Sequence, residues 1–373
     1  MINLKIITNI KQFEELNCSW NVLLSKLSPN VSVFYNNKWY RVWWSHFSSN
    51  AALNIFSMWD EDCLVGVAPL IKKKIKLHGL PVEAFGFIEN RNSLHNDFFV
   101  LEDYRELFFA ELLKYFFATS PQWNIVLLKN LPTSSPNYDL LLRSLDKTNT
   151  KWSIEPSFNS PYLLPSGSWV DYLATRSTRT RKSLRNIQNS MNKAGDVLVK
   201  NVRSWNEYLS IRDDLFHVAQ KSWTERIGDS LATPQNKAFF NDLAFCAAEN
   251  GWLSIWCLYL NGQMIAFEFH LKGYGNDHAM RGSYLPAFAN LSPGTYLEMQ
   301  ILKDAFDGEE PVQKYDFGGS FDNYKRKWTD DATPHHEILI YNNNRYSRLA
   351  AFHEMRTVPF LRCIRDKIQQ VKA

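Results

Sequence analysis

Apolar and polar positions alternate along the chain with two different periods, and these periods predict helices and strands. A three-to-four-residue period over residues 10–27 predicts an amphipathic helix, and an aromatic helix is expected over residues 37–47. Apolar runs at residues 53–59 and 64–71 predict strands, and the acidic tripeptide between them predicts a hairpin turn. The chain therefore begins as a mixed α/β pattern.

A similar order of elements returns in the second half of the chain. Strands are predicted at residues 252–260 and 263–271, joined by Asn261-Gly262, a dipeptide typical of tight hairpins. Helices precede this hairpin, and a strand, a helix and another strand follow it. The repeated order predicts two tandem units, each an α/β sandwich with a mixed sheet.

These repeats divide the chain into four predicted parts. The units cover residues 1–158 and 196–341. Residues 159–195 form a basic connector, in which one helix, with a bend allowed in its middle, is expected from Trp169 to Ala194 and ends at Gly195. A basic C-terminal helix is expected within residues 342–373 and is more typical of a packing helix than of a membrane or RNA surface.

The stretch Ser292-Pro293-Gly294-Thr295 has the features of a helix start. Serine is a favourable N-cap and proline suits the first helical position. Small side chains leave the first backbone N–H groups accessible, which favours an anion at this end of the helix. An ordinary capped helix explains the same four residues, so the motif alone leaves both interpretations open.

Several motifs together resemble bacterial double-GNAT acyltransferases, which are related to the Fem peptidyl transferases and often associated with cellulose, exopolysaccharide or cell-envelope synthesis. The resemblance covers about residues 165–330. It rests on Ser-Pro-Gly at 292–294, Tyr-Asp-Phe-Gly-Gly at 315–319, Tyr-Lys-x-x-Trp at 324–328, the basic helix at 179–184, the strand at 265–267, and Trp223 with Arg226 and Gly228. The element order of each predicted unit also agrees with the GNAT fold.

The resemblance implies a cytoplasmic N-acyltransferase that moves an acyl group from acetyl-CoA or another acyl-CoA to an amine. The acceptor would be an amino sugar linked to a nucleotide or lipid, bound on the N-terminal side, while the C-terminal unit binds the cofactor. Ser292, Pro293, Gly294 and Thr295, with Arg281, would bind that cofactor. Two alternatives stay open: a Fem-like transferase that uses aminoacyl-tRNA, and a catalytically degenerate binding protein for envelope synthesis.

Acyl transfer to an amine needs a base and a group that stabilises negative charge. Glu268 lies on one face of a strand with His270, and a carboxylate beside a wet cleft suits a base. The alternative role for Glu268 is a structural ion pair with Arg281. His270 is expected to have a structural role. The resemblance places Lys325 in the active cleft, with Asp316 nearby as a third catalytic candidate, whereas a surface lysine is the alternative for Lys325.

Four residues are expected to contact the acceptor. The resemblance implies this role for Asp97 and Asn96 in a polar loop, for Trp223, and for Tyr324 beside the lysine. An aspartate in an ordinary turn explains Asp97 equally well.

Composition narrows the class of protein further. The net charge of +4 is too small for a dedicated DNA-binding protein, and it also weakens the tRNA alternative. The five cysteines lack paired spacing, so we expect a reducing compartment, no disulfide framework and no metal site. No signal peptide or transmembrane segment is expected, which leaves peripheral membrane contact open.

Overall fold

One continuous mixed sheet organises the protein, which a computed structural model describes over residues 2–27, 31–119, 122–148, 150–222, 230–310 and 312–354. Its strands are β1 (Ile2–Ile7), β2 (Ala51–Asp60), β3 (Cys63–Leu77), β4 (Leu80–Phe87), β5 (Phe99–Val100), β6 (Ile125–Pro132), β7 (Trp152–Leu163), β8 (Val197–Val202), β9 (Leu253–Leu260), β10 (Gln263–Gly273), β11 (Asn276–Tyr284), β12 (Lys314–Asp316) and β13 (Ala332–Tyr341). The strand order is β1-β2-β3-β4-β6-β13-β7-β12-β11-β10-β9-β8, and β5 pairs with β3.

Helices cover this sheet and confirm the predicted α/β class. Within the described residues they are α1 (Ile10–Glu15), α2 (Asn17–Leu27), α3 (Asn37–Phe47), α4 (Arg105–Ala118), α5 (Tyr138–Asp146), α6 (Trp169–Thr175), α7 (Thr178–Ala194), α8 (Trp205–Lys221), α9 (Pro234–Glu249), α10 (Pro293–Asp307) and α11 (Arg345–Phe352). Of the predicted basic C-terminal helix, only α11 lies within the described residues.

Both predicted hairpins form. The β2–β3 turn follows the pairing of Asp60 with Cys63. In the β9–β10 turn, Asn261 and Gly262 have φ angles of 51° and 80°, the two positive values that a type I′ turn requires. This turn fixes the register of β10, and with it the face on which Glu268 lies.

The connector differs from the single predicted helix. Helix α6 ends at Thr175, Arg176 is extended, and the Ser177 side chain accepts a hydrogen bond from Thr180 N to begin α7. Ser177 is therefore an N-cap inside the predicted helix, which explains the break. Leu184 and Met191 are buried, so α7 packs through its apolar stripe.

An apolar core joins the N-terminal and C-terminal strands of the sheet. Trp39 of α3 packs edge-on against Phe239 of α9, with ring centroids 5.8 Å apart. Alternate residues of β9 enter different cores, so Ile255 joins this shared core while Trp256 faces α10 on the opposite side. The shared core holds the two halves of the sheet in one body.

Strands β7 and β13 join the N-terminal strands of the sheet to its C-terminal strands. β7 pairs with β13 along most of its length and with β12 through Tyr162 and Leu163. β13 lies between β6 and β7, although it follows the C-terminal strands in sequence. The pairing is continuous between the two predicted units, whose bounds stay a prediction.

The sheet opens between β11 and β12. These parallel strands pair only over Asn276–His278 with Lys314–Asp316, and they separate beyond that point. The chain after β12 turns away at Gly318, whose φ of 61° is in the left-handed region. A Cβ on Gly318 would lie 2.2 Å from the Ala279 carbonyl oxygen, so only glycine fits against β11 here.

Replacing Gly318 with alanine should therefore lower the free energy of unfolding by about 2–4 kcal/mol, through backbone strain and a steric clash. Gly319 is a matched control because its φ is 54° and its Cβ would meet nothing closer than Lys325 Nζ at 3.9 Å. Gly319→Ala should cost only about 1 kcal/mol. Urea unfolding of both variants measures the difference, and equal losses would contradict the close approach to β11.

Candidate active site

A cleft of about 720 Å³ occupies the opening between β11 and the turn after β12. Residues of β10 and β11, the start of α10 and residues 317–325 line it. Eight sequence-predicted site residues lie here: Glu268, Arg281, Ser292, Pro293, Gly294, Thr295, Tyr324 and Lys325. The fold thus brings the expected cofactor-binding stretch and the expected base into one cleft.

The start of α10 presents backbone donors to this cleft. Ser292 O accepts from Tyr296 N at 3.0 Å, so the earlier amides of Gly294 and Thr295 precede the first intrahelical bond. Lys327 Nζ donates to Thr295 Oγ1 at 3.1 Å and adds a cation beside these amides. The positive end of the helix and this ammonium group both favour an anion.

Ser292 does not act as the predicted N-cap. Its φ of 53° is left-handed, and its side chain makes no capping hydrogen bond. The serine instead forms the corner between the residues 286–291 turn and α10, and its side chain is left beside the cleft. Gly294 leaves further space, since a Cβ there would approach only Tyr284, at 3.8 Å.

Glu268 lies at the cleft wall and contacts a buried histidine. Its Oε2 is 3.2 Å from His270 Nε2, and His270 Nδ1 is 2.8 Å from Asp277 Oδ1. Burial alone would lower the pKa of His270, but Asp277 and Glu268 outweigh it and raise that pKa to about 10. His270 is therefore an imidazolium at neutral pH, held between the carboxyl groups of Asp277 and Glu268.

The residue opposite Glu268 in the register is Gly282 on β11. A Cβ on Gly282 would lie 3.2 Å from Glu268 Cγ and would press on this side chain. The glycine therefore leaves the carboxylate room in the cleft. Arg281, the alternative partner predicted for Glu268, donates from Nη2 to Asn92 Oδ1 at 2.7 Å.

A second carboxyl group, Glu298, lines the same cleft and was not predicted. It lies on α10, is buried, and accepts from Tyr315 Oη at 2.7 Å. Burial, followed by the nearby charge of Glu268, raises the pKa of Glu298 to about 8. A charged residue one position from Leu297 in an apolar stripe was the sequence signal that could have identified it.

Lys325 is buried, with 4% of its surface exposed, so the surface-lysine alternative does not describe it. Its Nζ donates to Gly318 O and, at 3.0 Å, to Ser320 O. Burial lowers the pKa of this lysine, against opposing contributions from Asp322 and Glu298. The turn thus holds an ammonium group at the wall of the cleft that Glu268 and Glu298 also line.

Asp316 lies behind the turn rather than among the cleft-lining residues. Its Oδ2 is 2.7 Å from His95 Nε2, and its Oδ1 accepts from Gly318 N at 2.8 Å. Burial alone would raise the pKa of Asp316, but the charge and hydrogen bond of His95 outweigh it and hold that pKa far below its usual range. Asp316 therefore braces the turn that holds Lys325, and its predicted catalytic role lacks access to the cleft.

The predicted acceptor residues Asp97 and Asn96 also lie away from the cleft. Asp97 Oδ1 accepts from Phe98 N and Asn137 Nδ2 at 2.7 and 3.0 Å, and burial raises the pKa of Asp97 to about 6. Asn96 Nδ2 donates to Lys129 O. From the same loop, Arg91 and Leu94 do line the cleft. Trp223 lies outside the described residues.

A basic groove on α7 adjoins the cleft. Its volume is about 380 Å³, and Arg179, Lys182, Asn186 and Ser190 line one side. Ser292 lines both this groove and the cleft, so the two surfaces meet at the start of α10.

Comparison with known proteins agrees with this geometry. Residues 178–326 match the acetyltransferase (GNAT) domain family. The crystal structure of FemX is similar with a TM-score of 0.60 and 13% identity, covering 94% of this chain and 100% of FemX. A conserved protein of unknown function from Bacteroides thetaiotaomicron is similar with a TM-score of 0.53 and 11% identity, covering 92% of this chain and 100% of that chain. No curated protein sequence matches.

These similarities show a Fem-like fold that contains a GNAT domain. Within the described ranges, every helix is too short or too polar to cross a bilayer.

The raised pKa of Glu298 makes a prediction about stability. A carboxyl group with this shift stabilises the folded state at low pH, and that contribution is lost as pH rises from its ordinary value of 4.5 to about 8. Glu298→Gln should match the wild type at pH 4 and exceed its unfolding free energy by roughly 1–3 kcal/mol at pH 8. Thermal unfolding across this range tests it, with Glu249→Gln on the exposed end of α9 as the control. A gain that is equal at both pH values would contradict the assignment.

Proposed function

We propose that this protein transfers an acyl group from acyl-CoA to the amine of a cell-envelope or polysaccharide precursor, since residues 178–326 match the acetyltransferase (GNAT) domain family and the fold is Fem-like. One observation carries this proposal: a single cleft combines a helix start suited to phosphate with two carboxyl groups and an ammonium group.

The donor is assigned to the α10 side of the cleft. The amides of Gly294 and Thr295, together with Lys327, supply donors and positive charge for the pyrophosphate of acetyl-CoA or another acyl-CoA. Gly294 leaves space for close approach of that group. The thioester would then extend between the separating strands β11 and β12 toward Glu268.

The reaction needs one proton removed from the acceptor amine and one returned to the leaving sulfur. The amine nitrogen attacks the thioester carbonyl, the N–C bond forms, and the C–S bond breaks to release CoA thiol. We assign the first proton transfer to Glu268, whose carboxyl group contacts the His270 imidazolium. We assign the second to Glu298, which lines the cleft and keeps its proton up to about pH 8.

Lys325 supports this chemistry as a fixed positive charge. Its ammonium group faces a cleft that already contains two carboxyl groups, and it would stabilise negative charge on the tetrahedral intermediate or on an acceptor phosphate. The acceptor enters from the side of the N-terminal half, where Arg91 and Leu94 line the cleft and the exposed ring of Tyr324 lies nearby. An amino sugar linked to a nucleotide or lipid phosphate fits these groups.

A second candidate donor is aminoacyl-tRNA. The observation that favours it is the basic groove of α7, which meets the cleft at Ser292 and would follow a phosphate backbone. The same cleft residues would serve either donor, since both reactions transfer an acyl group to an amine.

Gly294→Glu should abolish acetyl-CoA binding, because a carboxylate would fill the space at the helix start and repel the pyrophosphate. Isothermal titration calorimetry measures the affinity. Gly294→Ala should weaken binding less, and Lys303→Glu, on the exposed face of α10, should retain it although it changes the net charge more. Unchanged affinity in Gly294→Glu would refute the site. Wild-type protein that binds aminoacyl-tRNA and not acetyl-CoA would favour the second donor.

Glu268→Gln should lower kcat by on the order of 100- to 10,000-fold with little change in acetyl-CoA affinity, since it removes the base and not the donor site. Release of CoA thiol in the presence of a panel of amino sugars measures turnover. Glu249→Gln should be as active as wild type. If Glu268→Gln retained wild-type kcat with the best acceptor, another group would have to be the base.

A further inference from the structure

Three side chains converge behind the cleft, where the two halves of the sheet meet. His95, His278 and Asp316 each offer one ligand atom, and these three atoms lie within 4.8 Å of one another. The three residues are 8%, 3% and 1% exposed. One comes from the loop before β5, and the others from β11 and β12, so distant parts of the chain supply the cluster.

The proton positions on His95 follow from its neighbour. His335 Nδ1 donates to Thr333 O at 2.9 Å, which leaves its Nε2 able to accept a hydrogen bond. His95 Nδ1 can therefore donate in its 3.0 Å contact with His335 Nε2. His95 Nε2 remains, 2.7 Å from the carboxylate of Asp316. Either a proton or a metal cation has to stand between these two atoms.

His278 offers one ring nitrogen, Nδ1, as a ligand atom. Its Nε2 contacts Ser32 Oγ at 3.1 Å, while its buried Nδ1 has no hydrogen-bond partner among the described residues. This nitrogen is 4.0 Å from Asp316 Oδ2. An unsatisfied buried polar atom is destabilising, so a ligand for it would be stabilising.

Asp316 is arranged in the same way. Its Oδ1 accepts from Ser160 Oγ at 3.1 Å and from Gly318 N at 2.8 Å, which leaves Oδ2 facing the two histidines. In all three residues, hydrogen bonds orient the far side of the group and one atom points to a common centre. Metal ligands in proteins are commonly oriented by outer hydrogen bonds of this kind.

We propose that His95, His278 and Asp316 bind a divalent transition metal ion, with two imidazole nitrogens and one carboxylate oxygen as ligands. This donor set suits Zn²⁺ and related ions. Binding replaces the proton between His95 and Asp316, so one proton leaves to solvent as the metal enters. The ion would connect the loop of the N-terminal half to β11 and β12, and it would brace the turn that carries Lys325. The argument for this metal site does not rest on the proposed reaction.

The test uses full-length protein without an affinity tag, stripped with EDTA and dialysed. Calorimetric titration with ZnCl₂ in buffers of different ionisation enthalpy should give one site per chain and release of about one proton. Mass spectrometry of the metal content should show one zinc per chain after removal of excess metal. The melting temperature should rise with zinc. Wild-type protein that binds no stoichiometric zinc would overturn the proposal and leave a buried imidazolium–carboxylate pair.

Variants locate the site. His278→Ala and His95→Gln should each weaken zinc binding by about 100-fold or more. His217→Ala is the matched control, since His217 is an exposed histidine on α8. Zinc affinity that is unchanged in folded His278→Ala would place the metal elsewhere and overturn the assignment. If that variant does not fold, visible absorption of Co²⁺ bound to wild-type protein decides instead, and its absence counts against the site.

Discussion

The contact between His95 and Asp316 is the interaction on which the active-site geometry depends. It joins a loop of the N-terminal half to β12 at 2.7 Å in a buried environment. The second oxygen of Asp316 holds the Gly318 amide, and the Gly318 carbonyl accepts from Lys325. A chain of hydrogen bonds therefore runs from one half of the sheet to the ammonium group at the cleft wall. A buried charge without its partner is strongly destabilising, so neither half provides this arrangement alone.

The cleft combines charges that would repel one another in an open site. Glu268 and Glu298 both line it, and the structure accommodates them by giving one an imidazolium partner and leaving a proton on the other. Two carboxyl groups with different protonation states provide a base and an acid at the same pH. The same burial that makes Glu298 a usable acid also makes it a source of instability at alkaline pH.

Local patterns in the sequence predicted the parts of the structure that local forces determine. The Asn261-Gly262 turn and the helix that begins at Pro293 formed as expected, because turn and first-turn preferences depend on neighbouring residues. Ser177 shows the limit of this approach, since one capping side chain divides what was predicted as a single helix, at most bent in its middle.

The remaining features depend on contacts between distant residues. Asp316 was predicted to be catalytic from its place in a motif. In the structure it pairs with His95 and does not line the cleft, and nothing near either residue in the sequence indicates that pairing. Glu298 was not predicted because it is one charged position beside the apolar stripe of α10. The GNAT-like element order was visible, whereas the position of β13 between β6 and β7 required the folded topology.

That position of β13 has a consequence for the order in which the protein is made. Residues 332–341 form the last strand of the described residues, yet they fill a gap in the sheet of the half that is made first. Until they are translated, β6 and β7 each present an unpaired edge, which is a template for aggregation. The N-terminal half of the sheet therefore stays incomplete while more than 170 further residues after β7 are synthesised, from residue 164 to residue 341.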